Sequence, residues 1–258
     1  SMILRSFTNL QSENVKIVPI YIGYEKILEG QTYLSELSGK SKRGESLLDP
    51  IRVLKDFNNY LGNVYINFGS PIDLGSFLKK EVKEPMTAIE PLDLKPDWLK
   101  KATTILGEKI IQGINSSVAV TSTSLFSISL LTDSTQSLNE NRLKQRISMF
   151  LNLIKASKTY GHVWLTNTNP SEIIKKTLDL KLIKAQLVGN SRIFKPTSDE
   201  TSILSFYKNN ISHVFILYSA ICESLRYVDE LSNEETSRLV RLVFPFLKRD
   251  YNLLESEE

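Results

Sequence analysis

At 258 residues the chain is long enough for one large domain or two small ones, and its 41% apolar and 24% charged residues are those of an ordinary globular protein with a core of normal size. A formal charge of +3 is too mild for a nucleic-acid binder, which would carry a concentrated basic face, yet it permits weak attraction to anionic lipid. The single cysteine, Cys222, excludes an internal disulfide and reads as a small buried hydrophobe.

Residues Ile3 to Asn9 read as the end of a helix, and Gln11-Ser12-Glu13-Asn14 as a turn. From Val15 to Tyr24 the β-branched and aromatic run is continuous, as in a strand buried on both faces of an α/β sheet. Pro19 interrupts it. Proline donates no ladder hydrogen bond, so it belongs at an edge or a bulge, and a bulge often lies beside a ligand. The polar segment that follows Glu29-Gly30 carries Lys40, Lys42 and Arg43, which suit either a phosphate grip beyond the strand or a solvated basic loop. Leu47, Ile51, Leu54 and Leu61 recur at helical spacing, with Asp49 as a cap and Pro50 in the first turn. Asn63 to Phe68 is a short strand closed by Gly69-Ser70-Pro71, and Leu74 to Val82 a short helix. Strand, crossover helix and strand in this order are the ingredient of a parallel sheet.

Prolines 85, 91 and 96, with Glu84, Glu90 and Asp93, mark an extended linker. Beyond it the chain is helical. Trp98 to Gly113 forms an amphipathic helix, and Asn115 to Leu131 a second, rich in Val, Ser and Thr and suited to burial among other helices. This weakly polar stretch is shorter than the roughly 20 apolar residues needed to span a bilayer, so no transmembrane helix is expected. Ser137-Leu138-Asn139-Glu140 has the form of a capping box, opening a helix with Leu143, Ile147, Phe150, Leu151 and Ile154 on one face. Asn169-Pro170 opens another, to about Leu182. Gly189-Asn190 turns a small appended hairpin between Leu187 and Lys195. Asn209 to Val228 is the most apolar helix and holds His213, read as packed and hydrogen-bonded. Ser232 caps the last helix, whose Leu239, Leu242, Val243 and Phe246 are expected to face inward while Arg238, Arg241, Lys248 and Arg249 stay outside, either solvated or resting on anionic headgroups.

Several chemistries leave no pattern. There is no Cys/His cluster at zinc spacing, no phosphate loop or dinucleotide fingerprint, and no Gly-x-Ser-x-Gly elbow. No cofactor or metal is implied.

One pattern is specific. Val18-Pro19-Ile20-Tyr21-Ile22-Gly23-Tyr24-Glu25, followed by Glu36-Leu37, Gly39, Lys42 and Glu45-Ser46-Leu47, resembles the last acyltransferase motif, and its sequel, of bacterial membrane-bound glycerol-3-phosphate acyltransferases. Asn67-Phe68-Gly69-Ser70-Pro71-Ile72 is similar to the strand closing that catalytic domain, and Phe206-Tyr207-Lys208-Asn209-Asn210-Ile211-Ser212-His213 to a segment of its carboxy-terminal helical region. The same catalytic-domain pieces occur in mitochondrial glycerol-3-phosphate and peroxisomal dihydroxyacetone-phosphate acyltransferases.

The resemblance implies an α/β remnant of an acyltransferase domain followed by a mainly α-helical domain: 1–84 the end of the catalytic domain, 85–96 the linker, 97–258 the helical domain. It also implies a fatty acyl group moving from acyl-coenzyme A or acyl carrier protein to glycerol 3-phosphate, giving lysophosphatidic acid. Val18, Pro19, Ile20 and Tyr21 would bind the acyl donor, and Lys42, flanked by Lys40 and Arg43, the phosphate. The family's catalytic His-x4-Asp is not in this stretch. His162 and His213 are the only histidines, and Asn167 and Tyr218 stand where each would need its aspartate. No catalytic residue is therefore assigned, and the chain reads as the carboxy-terminal part of a longer enzyme. Ser1-Met2-Ile3-Leu4-Arg5 has no signal-peptide pattern and is taken as an internal start. The expected partners are the missing amino-terminal part and a membrane phospholipid surface, at the cytoplasmic face of the inner membrane. A noncatalytic helical module that binds a protein or lipid surface is the alternative.

Overall fold

The computed structural model describes residues 1–10, 14–27, 62–82, 97–156, 163–226 and 230–253. Helix α1 (Met2–Leu10) leads into β1 (Lys16–Ile17) and β2 (Ile20–Tyr24). The chain re-enters at β3 (Val64–Phe68) and β4 (Ile72–Asp73), and helix α2 (Leu74–Glu81) follows directly, with Asp73 accepting from the Ser76 amide as its cap.

β2 and β3 run antiparallel, with Ile20 opposite Phe68, Ile22 opposite Ile66 and Tyr24 opposite Val64. The parallel sheet expected from the strand–helix–strand reading is therefore not formed. The expected crossover helix over 46–61 lies outside the described residues, as does the 85–96 linker. β1 continues the ribbon by pairing antiparallel with β4, Ile17 opposite Ile72. Between the two ladders Val18 and Pro19 face Gly69, Ser70 and Pro71, so the extra residue of the irregularity sits across from the proline. Burial on both faces is also corrected, because Ile20, Ile22 and Tyr24 are exposed.

Helix α3 (Asp97–Asn115) packs Leu99, Ala102 and Leu106 with Leu4, Leu74, Phe77, Leu78 and Val82 in the smaller of two cores. The expected second helix starts later than Asn115. Ser116 and Ser117 turn the chain, Ala119–Val120 form β5, and only then does helix α4 (Ser122–Leu131) begin, capped by the Thr121 hydroxyl. Every residue of α4 is buried, as expected for the Val-, Ser- and Thr-rich stretch 115–131 that contains it. Ser127 donates to the Thr123 carbonyl at 2.6 Å, whereas the buried hydroxyls of Ser122 and Ser129 have no hydrogen-bond partner among the described residues.

Around α4 lie β6 (Leu138–Asn139), α5 (Glu140–Ala156), β7 (Trp164–Leu165), α6 (Pro170–Asp179), the hairpin β8–β9 (Ala185–Val188, Ser191–Phe194) and the long α7 (Ser198–Ser224). β7 pairs parallel with β5, and β6 joins the hairpin as a third strand. At the start of α5 it is Asn139, not Ser137, whose side chain takes an amide, that of Arg142 at 2.9 Å. The hairpin is more than an appendage. Phe194 is fully buried and meets Phe126 edge-on at 5.6 Å. Across the same core Phe150 meets Phe215 at 4.9 Å.

α7 begins well before Asn209, at a Thr197/Glu200 capping box. The final helix, α8 (Asn233–Tyr251), opens on the expected Ser232 cap. Its facing differs from expectation: Leu242 and Phe246 are 63% and 64% exposed and share the outer side with Arg238, Arg241 and Arg249. Cys222 is likewise exposed rather than buried. Among the described residues no helix is long and apolar enough to cross a membrane.

Candidate functional site

The site is the junction where the motif-bearing ribbon meets the end of α3. Pro19 has no amide hydrogen to give, but its carbonyl accepts from Gly69 N–H at 2.8 Å, holding the two strands together across the irregular step. Its ring is buried against Gly113 of α3. A side chain at Gly113 would begin 2.5 Å from the proline Cγ, so only glycine lets helix and strand approach this closely.

Two clefts meet at this crossing. One, of about 540 Å³, runs past Pro19, Ser70, Phe77, Lys80, Lys109 and Gln112. The other, of about 700 Å³, opens on the opposite side between Ile66, Phe68, Val163 and Trp164, floored by Ser117. Ser70 and Ser116 border both, which leaves the Pro19–Gly69–Gly113 contact as the wall between them.

Polar and aromatic side chains fasten the ribbon to the helical body. Tyr21 donates through its hydroxyl to the Ala119 carbonyl at 3.4 Å, and Asn67 Nδ2 to the Ser117 carbonyl at 2.8 Å. Just past β2, Glu25 is fully buried. Its carboxylate accepts from the Asn63 amide at 2.8 Å and the Tyr65 hydroxyl at 3.0 Å, and pairs with Lys176 of α6, Nζ to Oε1 2.8 Å. Beside it the Ile27 amide donates to the Tyr207 hydroxyl at 2.9 Å. Burial raises both Tyr21 and Tyr207 to about 12, so each phenol stays a neutral hydrogen-bonding group at any physiological pH.

The end of α3 is itself held from the far side. His213 Nε2–H donates to the Asn115 carbonyl at 3.1 Å, while Asn115 Nδ2 and Gln112 Nε2 donate to the carbonyls of Tyr251 and Leu253. Burial pulls the His213 pKa down, against the raising effect of that bond. This is the packed histidine the sequence predicts.

Of the donor-binding residues expected from sequence, Pro19 alone borders a cleft described above. Val18 and Ile20 are exposed beside it, and Tyr21 turns toward β5. Lys40, Lys42 and Arg43, like His162, lie outside the described residues. Sequence reasoning gave no role to Glu25, Lys176 or Gly113. Glu25 closes the motif and Gly113 ends the predicted helix, but nothing in the sequence pointed to Lys176.

Fold and junction together define a mixed α/β protein, mainly helical, in which a β-ribbon bearing an acyltransferase-like motif is mounted on a helical body. The comparison with known families makes this particular: residues 33–258 match the family described as glycerol-3-phosphate acyltransferase C-terminal region, and the chain belongs to that family. Relatives named glycerol-3-phosphate acyltransferase include those of Pseudomonas savastanoi pv. phaseolicola, 30% identical over 247 residues, and Pseudomonas entomophila, 31% identical over 249 residues. Both alignments cover 96% of this chain and 30% of the relative, so the chain spans about 30% of the length of the curated relatives it matches.

Proposed function

We propose that this chain is the carboxy-terminal part of a glycerol-3-phosphate 1-O-acyltransferase acting peripherally at the cytoplasmic face of the inner membrane. In that reaction the substrate hydroxyl oxygen attacks the thioester carbonyl of acyl-coenzyme A or acyl carrier protein. The new C–O bond replaces the C–S bond, the thiol leaves with a proton, and lysophosphatidic acid is formed. Removal of the hydroxyl proton falls to a histidine outside this stretch. Pro19 and its neighbours contribute a wall of the acyl-donor site, and Lys40, Lys42 and Arg43 hold phosphate. The observation that carries the reading is the crossing of Pro19, Gly69 and Gly113, which seats the motif proline rigidly at the rim of a cleft; the relatives' names support the reaction.

The test is direct. The chain alone, given glycerol 3-phosphate and palmitoyl-coenzyme A, is expected to form no lysophosphatidic acid, and turnover would place catalysis within it. In an active enzyme containing this chain, Pro19→Ser should raise the KM for the acyl donor while leaving that for glycerol 3-phosphate unchanged. The alternative of a lipid-surface module draws on α8, where Arg238, Arg241 and Arg249 flank exposed Leu242 and Phe246. Flotation of the chain with phosphatidylglycerol vesicles, lost in Leu242→Ser/Phe246→Ser, would support it.

A further inference from the structure

Strand β2 has Pro19 before its first residue and Glu25 after its last, and the five residues between them all pair with β3. A paired strand does not stretch, and its register changes only by whole residues, steps of about 3.3 Å, so the ribbon moves as one piece. The seat of Pro19 leaves little room for such movement. A Cβ on Gly113 would lie 2.5 Å from the proline ring, and one on Gly69 would lie 3.3 Å from Pro19 and 2.9 Å from the Gly113 carbonyl. The ladder does not say where the ribbon rests on the helical body, because among the described residues β2 and β3 pair only with each other. Side chains set that place, and their ties are densest at Glu25. Its buried carboxylate accepts from the Asn63 amide and the Tyr65 hydroxyl and meets Lys176 Nζ of α6 at 2.8 Å. Two residues on, the Ile27 amide donates to the Tyr207 hydroxyl of α7. Gly62, at a φ of +74°, brings the returning chain against the same carboxylate, where a Cβ would lie 2.7 Å from Glu25 Oε2. The chain thus leaves β2 and returns to β3 at one point, and Lys176 ties that point to α6.

We infer that Lys176 is a positioning residue for acyl transfer: acting through Glu25, it sets the place of β2 on the helical body and with it the seat of Pro19 at the rim of the cleft. The inference rests on the proposed function for the acyl donor and on the structure for the tie. Two observations separate positioning from plain support. Lys176 lines neither of the clefts that meet at Pro19, so its effect on a ligand there passes through the strand. The packing of α6 does not depend on it either, since Ile173, Ile174 and Thr177 are the residues that α6 buries. An ion pair taken out of water gains little net stability, because the cost of removing both charges from solvent offsets most of their attraction. What it supplies is a fixed geometry, and a binding wall that must be held to within about 0.5 Å needs one.

The experiment measures steady-state kinetics with palmitoyl-coenzyme A and glycerol 3-phosphate, together with melting temperature, in an active enzyme containing this chain. Lys176→Met should raise the donor KM at least about fivefold, keep kcat within about twofold and leave the glycerol 3-phosphate KM unchanged, the pattern of lost binding rather than lost chemistry. Glu25→Gln/Lys176→Met keeps one acceptor oxygen and leaves no buried charge unpaired, so it should melt closer to the wild type yet show the same raised KM. Lys176→Arg, which keeps the charge, should recover most of the donor affinity. Leu143→Ala, a cavity in α5, should lower the melting temperature and leave the donor KM at its wild-type value. Added to Pro19→Ser, Lys176→Met should raise the KM by less than about a further twofold, because both act on one seat. An unchanged donor KM in both Lys176 →Met variants, an equal rise in Leu143→Ala, or a fully multiplicative effect with Pro19→Ser would each overturn the inference. Pro19→Ser alone separates it from the reading beneath it. If that change raises the donor KM and Lys176→Met does not, the positioning role fails and the donor wall stands; if neither does, the donor wall itself fails and takes the positioning role with it.

Discussion

The two faces of the β2–β3 ribbon invert the usual relation between polarity and burial. The side turned to the protein interior carries Tyr21, Tyr65 and Asn67, with Glu25 at its end, each hydrogen-bonded to a named partner. The side turned to water carries three isoleucines, a valine, a phenylalanine and a tyrosine. What holds the ribbon in place is therefore directional bonding together with the packing of the Pro19 ring and Tyr21, and the bonds make its attachment sensitive to single atoms. The bare side contributes little to the stability of this chain and is free to be selected for something else.

The largest expected effect lies on the bonded side. Glu25→Ala removes the acceptor for the Asn63 amide and the Tyr65 hydroxyl and takes the buried carboxylate away from Lys176. Breaking such a buried pair should destabilise the chain by about 3 kcal/mol in urea unfolding. Glu25→Gln, which keeps one acceptor oxygen but loses the other and the charge, should fall between. A loss under about 1 kcal/mol for Glu25→Ala would mean that the ribbon is held by something other than these bonds.

Gly113→Ala comes next, at about 2 kcal/mol. The new methyl must displace the Pro19 ring from 2.5 Å, and the ring is backed by the Gly69–Pro19 hydrogen bond, so the strain of overpacking has little room to relax. The variant should also raise the donor KM in an active enzyme, in parallel with Pro19→Ser. Gly107, one turn and a half earlier in the same helix, has open space around it, so Gly107→Ala should stabilise slightly and serves as the control.

A smaller effect is expected from pH. The folded chain holds His213 below its ordinary value of 6.5 because its ring is buried. The unfolded chain therefore takes up the proton first as pH falls. The stability that the neutral ring contributes is complete above about pH 6.5 and is lost as the pH drops from there toward the depressed folded value. Protonation leaves the Nε2–H donor to the Asn115 carbonyl in place, so the loss comes from burying a charged ring beside the end of α3. Melting temperatures of wild type and His213→Gln should differ more at about pH 7.5 than at about pH 5.5; a constant difference would remove the titration from the account.

Local chemistry was legible in the sequence, and long-range geometry was not. The caps at Asn169 and Ser232, the turn at Gly189-Asn190 and the burial of the Ser-rich helix all follow from neighbours within a few residues, where propensity and capping act. The two-residue strand Ala119–Val120 is too short for any periodicity and was hidden inside a helical pattern. At Leu242 and Phe246 the spacing marks a stripe, yet spacing cannot say whether the stripe faces a core or water. The unbroken apolar run of β2 likewise suggested burial on both sides, since an exposed apolar face carries the same residue types as a core. As for the site, the motif pointed to Pro19, but its seat depends on Gly113 and the anchoring of its strand on Lys176, residues far along the chain with no pattern linking them to it.

The smallest expected effect is the sharpest test of the comparison. Ile20→Thr, Ile66→Thr and Val64→Thr each replace an exposed apolar side chain on the open face with one of similar shape and equal branching at Cβ, so strand preference is kept while the apolar contact is lost. In the isolated chain each should change stability by less than about 0.5 kcal/mol, the ordinary range for surface positions. The same change at an equally apolar but buried site, Val120→Thr on β5, places a hydroxyl in the core and should be worth about 2 kcal/mol. If the ribbon variants matched the Val120 variant, the open face would be core after all, and the inverted polarity of the ribbon would have to be explained by contacts within this chain.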